Sequence, residues 1–185
     1  MVGLWGIMPL ELDSSRQMVH PRDRKRENPI KVWYEEIPCG KFSGNPPMLQ
    51  LVGPDLWVYH PDKEFPFTFT RDNGGVTTLD ASFSSDLGSV PGILRGLSYL
   101  SKGYYGIAYL LHDWLWHQHK KLLDGCGYTY HDTNIILVEA IKTLNEYGYI
   151  SHNTFDGGAT AARRIWVGVN SIPAKILWNS HYAQS

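Results

Sequence analysis

A histidine and an aspartate stand side by side in "AYLLHDWLWHQHK", residues 108–120, among apolar and aromatic neighbours. An ionisable pair in such a setting either does chemistry or holds two segments together, because burying it without partners is costly. Apolar side chains recur at three- and four-residue spacing over 104–121 and 130–147, which predicts two amphipathic helices. On the first helix His112 and Asp113 point about 100° apart, so one can face a groove while the other reaches sideways to a loop. That geometry suits a general base next to a metal ligand.

Zinc bound by this helix alone is excluded. His112, His117 and His119 are close in sequence, but only His112 and His119 share a face. Their separation along the axis is about 10 Å, whereas zinc holds its ligands at about 2 Å. His117, His119 and Lys120 read instead as a polar helix end whose cations complement the macrodipole. Upstream, "SSDLGSVP" places Asp86 in a glycine-containing loop, and a carboxylate beside backbone carbonyls is the hard-oxygen set that calcium prefers. The same loop also reads as an ordinary turn, with Asp86 as an Asx or capping residue and Gly88 at positive φ.

The elements that must position these residues follow from pattern. Residues 1–47 contain a charged run between prolines, "HPRDRKRENP", and a turn-rich connector, "PCGKFSGNPP", which together read as an arm or linker. The basic side chains Arg22, Arg24, Lys25 and Arg26 are interrupted by Asp23 and Glu27, the mark of a solvated segment rather than a nucleic-acid patch. From residue 48 the runs "MLQLVG", "LWVYH" and "FPFTFTRDNGGVTTLD" are short and apolar or alternating, and Asn73-Gly74 supplies positive-φ residues for a tight hairpin. Thr129 is a candidate N-cap, with Asp132 three positions on as a variant capping box. "GGATAARRIWVGVN" predicts a third helix ending before Pro173. The expected fold is α+β: an extended N-terminal arm over 1–47, then one domain over 48–185 in which a small antiparallel sheet leads into a two- or three-helix unit.

Composition narrows the class. The chain has 185 residues, 43% hydrophobic and 19% charged, which fits one globular domain with an appendage. A net charge of −1 leaves no electrostatic footprint for nucleic acid. Cys39 and Cys126 read as separate thiols rather than a staple. The opening "MVGLWGIMPLELD" lacks a basic start and is interrupted by Pro9 and Glu11, so neither a signal peptide nor a transmembrane segment is expected. Trp114, Trp116, Tyr104, Tyr105, Trp166 and Trp178 could line an apolar rim for lipid or fill the core, and helical spacing favours the core.

"SSDLGSVP" followed by "LHDWLW" resembles the phage-rich family called domain of unknown function thirteen fifty-three, whose pattern runs T-D-x-A-S-I-P, then H-D-x-L-Y, then A-D-x-x-F on a second helix. The resemblance covers about residues 64–150 and implies a phage or prophage source, hence a virion or host-cytoplasm location. The arrangement is also similar to that of secreted bacterial phospholipase A-two enzymes. By that likeness Asp86, the Leu87 carbonyl and Asp113 would bind calcium and His112 would deprotonate water, with the metal stabilising the oxyanion of an ester's tetrahedral intermediate. A second-helix acid would orient the histidine.

Two positions depart from these patterns. Trp116 replaces the tyrosine of H-D-x-L-Y and can only donate, through its indole nitrogen. The slot of the second-helix aspartate falls on Asn134 when Thr129 is the N-cap; matching Asp132 instead would put Glu139 in the core, so Asp132 is the second candidate. An asparagine can orient an imidazole but cannot stabilise an imidazolium by charge.

Three functional expectations follow. The first is a phage-encoded, calcium-dependent hydrolase-like protein acting on an ester of the host envelope at a membrane surface, with His112 as base, Asp86, Leu87 and Asp113 as ligands, Asn134 as orienter and Ser89 stabilising the loop. The second is a non-catalytic virion or host-interaction protein that attaches to other virion or host proteins through its arm. The third is a peptidoglycan hydrolase, for which neither a glycosidase carboxylate pair nor zinc-ligand spacing is present.

Overall fold

A computed structural model describes residues 28–87, 102–121, 127–148 and 158–180. Helix α1 (Pro29–Glu36) is followed by strands β1 (Lys41–Ser43), β2 (Met48–Gly53), β3 (Leu56–His60), β4 (Phe67–Thr70), β5 (Val76–Leu79) and β6 (Phe83–Ser85). Helices α2 (Lys102–Lys121), α3 (Tyr130–Glu146), α4 (Ala159–Val169) and α5 (Ile172–Ser180) are the remaining elements among the described residues. The α+β class is as expected, but the strands form two antiparallel sheets rather than one, in the orders β1-β4-β5 and β2-β3-β6. Alternation writes this division: Phe67, Phe69 and Leu79 point inward from the first sheet, and Tyr59 and Phe83 from the second. The Tyr59 hydroxyl donates to the Leu79 carbonyl at 3.0 Å, joining one sheet to the other.

The predicted arm is a packed part of the fold from residue 28 onward. Asn28 caps α1 by accepting from the Ile30 amide, with Pro29 in the first turn. Tyr34 is buried, and the Lys142 ammonium satisfies the end of α1 by donating to the Glu35 and Ile37 carbonyls. Strand β1 pairs with β4, stacking Phe42 on Phe67 at 5.5 Å between centroids. Gly40 is obligatory between them, because a Cβ there would overlap the Phe69 ring and the Thr70 carbonyl. The composition of "PCGKFSGNPP" hid a strand because its partner, β4, lies far along the chain.

The hairpin between β4 and β5 is longer than a two-residue turn. Arg71 accepts from the Gly74 amide and donates to the Gly75 carbonyl, and only Gly74 of the Asn73-Gly74 pair has positive φ, at 82°. This is a type I turn followed by a left-handed glycine. Asn73 contributes its side chain, accepting from the Gly75 amide at 3.0 Å.

The longer geometry aims Arg71 at α3. Its guanidinium makes two hydrogen bonds of 2.7 Å to the Glu139 carboxylate. Glu139 is 2% exposed, so the α3 register that places Asn134 inside also places Glu139 in the core, contrary to the expectation that the two exclude each other. The fork of Arg71 makes that burial tolerable, and Glu139 in turn holds the guanidinium charged.

Helix bounds follow the periodic pattern closely, and the capping box of Thr129 and Asp132 is present in full. Helix α4 ends before Pro173 as expected, but one helix was missed: Pro173 lies in the first turn of α5, where proline is tolerated. No described helix is long and apolar enough to cross a membrane.

Removing Arg71 leaves a buried carboxylate uncompensated. Arg71→Leu is expected to destabilise the fold by about 3 to 5 kcal/mol, and double substitution with Glu139→Leu to recover much of that loss, as read from urea unfolding midpoints.

Candidate functional site

Helix α2 presents His112 and Asp113 to different partners, as the spacing predicted. His112 is 2% exposed and faces α3, where its Nε2 lies 3.1 Å from Asn134 Oδ1. Asp113 faces β6 and accepts a 2.5 Å hydrogen bond from the Ser85 hydroxyl. Ser85 also accepts from the Leu87 amide at 2.9 Å, and Leu87 adopts a left-handed φ of 52° with its side chain buried. The loop is therefore tied to the helix through a serine hydroxyl. Positive φ falls on Leu87, while Gly88, Ser89 and the remainder of "SSDLGSVP" lie outside the described residues.

Asn134 is the second-helix residue that meets His112. Asp132 closes the capping box instead: the hydrogen bond from the Thr129 hydroxyl, followed by that from the Thr129 amide, lowers its pKa against the opposing effect of burial. The indole nitrogen of Trp116 also reaches His112 Nε2, at 3.1 Å. Trp116, Trp178 and Tyr130 form an aromatic cluster, with the His119 ring stacked on Trp178 at 3.6 Å. His117 lies against Phe83 and Trp114. His117 and His119, expected at a polar helix end, are thus built into aromatic packing, because the last turns of α2 meet β6 and α5. Tyr105, Trp114 and Trp178 are buried, so these aromatics belong to the core rather than a rim.

Burial lowers the His112 pKa to about 4, with the Asn134 hydrogen bond opposing the shift. The ring is neutral at physiological pH. Neutral imidazole is the form a base requires, but a pKa so low makes it a weak one.

A calcium site would draw on Asp86, the Leu87 carbonyl and Asp113. Asp113 accepts from Ser85, and among the described residues no three or more His, Cys, Asp or Glu side chains are grouped to hold a metal. Asp86, the Leu87 carbonyl and Asp113 offer two carboxylates and one main-chain oxygen, hard donors of the kind calcium takes.

Sequence reasoning missed Ser85, which links Asp113 to the loop, and Asn170, which accepts from Asn134. Their signals were weak: a serine two residues before a left-handed position, and a polar residue at a helix end. Cys39 is a free thiol; Cys126 lies outside the described residues.

Fold and site define an α+β protein in which an imidazole and an amide meet between two helices. Residues 63–149, from the approach to β4 through α3, match the family described as protein of unknown function (DUF1353). Comparison with curated proteins and with solved structures gives no significant match.

The imidazole makes stability pH-dependent. Its folded pKa, about 4, lies below the ordinary 6.5, so protonation favours the unfolded chain. The contribution is fully favourable above about pH 6.5 and declines toward pH 4, by about 3 kcal/mol. Urea midpoints measured across this range should fall in wild type, and that component of the fall should be absent from His112→Gln.

Proposed function

We propose that the protein is a phage-encoded virion or host-interaction protein in which the His112 and Asp113 pair joins the helices to one another and to the second sheet. The observation that carries this reading is the enclosure of His112: its ring is 2% exposed, with an amide and an indole both at Nε2. A base acting on bulk water or on an ester needs access that this packing withholds. Asp113 supports the same view, since its carboxylate anchors β6 through Ser85. The phage source rests on the resemblance of "SSDLGSVP" and "LHDWLW" to a phage-rich family, together with the match over residues 63–149. Partners would be other virion or host proteins.

One observation favours the hydrolase-like reading. Both described polar contacts of the His112 ring fall at Nε2, and the second-helix residue that meets it is the one expected to orient a base. A base at this position would act through Nδ1. In that reading calcium would supply charge stabilisation of an ester oxyanion at a membrane surface, with Asp86, Leu87 and Asp113 as its candidate ligands.

Calcium titration by calorimetry and hydrolysis of mixed phospholipid vesicles, on wild type, Asp113→Ala and His112→Ala, separate the two. The structural reading expects no turnover in any sample and lowered unfolding midpoints in both variants. Calcium-dependent turnover that disappears in both variants while they remain folded would overturn it in favour of the hydrolase.

A further inference from the structure

The nitrogen at the centre of the site has two neighbours that require opposite things of it. Trp116 Nε1 is only a donor, and at 3.1 Å it requires a lone pair on His112 Nε2. Asn134 Oδ1 is only an acceptor, and at the same distance it requires a proton there. An imidazole nitrogen offers one in-plane position, so one neighbour sets the tautomer and the other yields. The outcome depends on whether the Asn134 amide is free to turn over.

It is held from the far side. Asn134 Nδ2 donates to the Val169 carbonyl at 3.3 Å and to Asn170 Oδ1 at 3.2 Å. A main-chain carbonyl cannot donate, so the first contact favours nitrogen at this position, but at 3.3 Å it is long and does not hold the amide alone. The second leads to the same answer independently: Asn170 Nδ2 donates to the Trp166 carbonyl at 2.9 Å, which leaves Asn170 Oδ1 facing Asn134. Two backbone carbonyls near the end of α4 therefore fix the sense of both amides. Tyr130 also donates to the Val169 carbonyl, holding that acceptor in place.

We propose that Asn170 is a positioning residue: with the Val169 carbonyl it orients the Asn134 amide so that His112 is held as the Nε2–H tautomer, with its lone pair on Nδ1. The amide at 134 is then required by its surroundings. A carboxylate there would accept from His112 but would face two further acceptors, Val169 O and Asn170 Oδ1, with nothing to donate. The inference concerns the site shared by both functional readings and depends on neither.

Long-range proton–nitrogen spectra of the uniformly ¹⁵N-labelled full chain at neutral pH, without metal or substrate, test it. Wild type is expected to show a pyrrole-type shift at His112 Nε2 and a pyridine-type shift at Nδ1. Trp116→Phe should leave that pattern unchanged. Asn170→Ala should introduce the opposite tautomer as a second population, whereas Asn170→Asp, which keeps an acceptor for Asn134, should retain one. Protonation of Nδ1 in wild type would overturn the assignment, and an unaltered single tautomer in Asn170→Ala would remove Asn170 from the relay. Because no turnover is measured, failure here is distinct from failure of either functional reading.

Discussion

Helix α3 carries polar side chains that its position does not allow it to leave unpaired, and the arrangement of every neighbouring element answers that requirement. Asn134, Glu139 and Thr143 are all buried. Each is met by a different part of the chain: Asn134 by α2 and the end of α4, Glu139 by Arg71 at the β4–β5 turn, and Thr143 by the Gly40 amide ahead of β1. Apolar packing alone tolerates small slides between elements, since burial is non-directional. Hydrogen bonds to enclosed groups do not, because a lost partner exposes the full desolvation penalty. The polar set on α3 therefore fixes the register of the hairpin, the N-terminal strand and two helices together.

This architecture gives the histidine and aspartate of α2 separate duties. His112 looks toward α3 and Asp113 toward β6, so the pair spans the boundary between the helical layer and the second sheet. The aromatic contacts run the same way, from Tyr59 to Phe83 and from Phe83 to Trp114. A neutral environment around His112 is consistent with an amide partner, since an asparagine adds no charge to an enclosed space. The site is ordered from the backbone carbonyls of α4 inward, which gives the imidazole a defined orientation whether or not it takes part in a reaction.

The sequence by itself determined the helices and their caps, because 3.6-residue periodicity and the Thr129–Asp132 box are local properties. It also selected Asn134 over Asp132 as the neighbour of His112, although through a premise that fails: Glu139 is in the core as well. A carboxylate inside a helix reads as solvent-facing until the arginine that meets it is known, and Arg71 lies 68 residues away in sequence. Only the tertiary structure decided that the strands split into two sheets, that residues 29–43 supply a packed helix and a paired strand, and that Ser85 ties the loop to Asp113. The physical reason is common to all three. Pairing partners, buried counter-charges and the direction of a hydrogen bond are set by contacts between distant segments, whereas pattern and capping report only on the residues beside them.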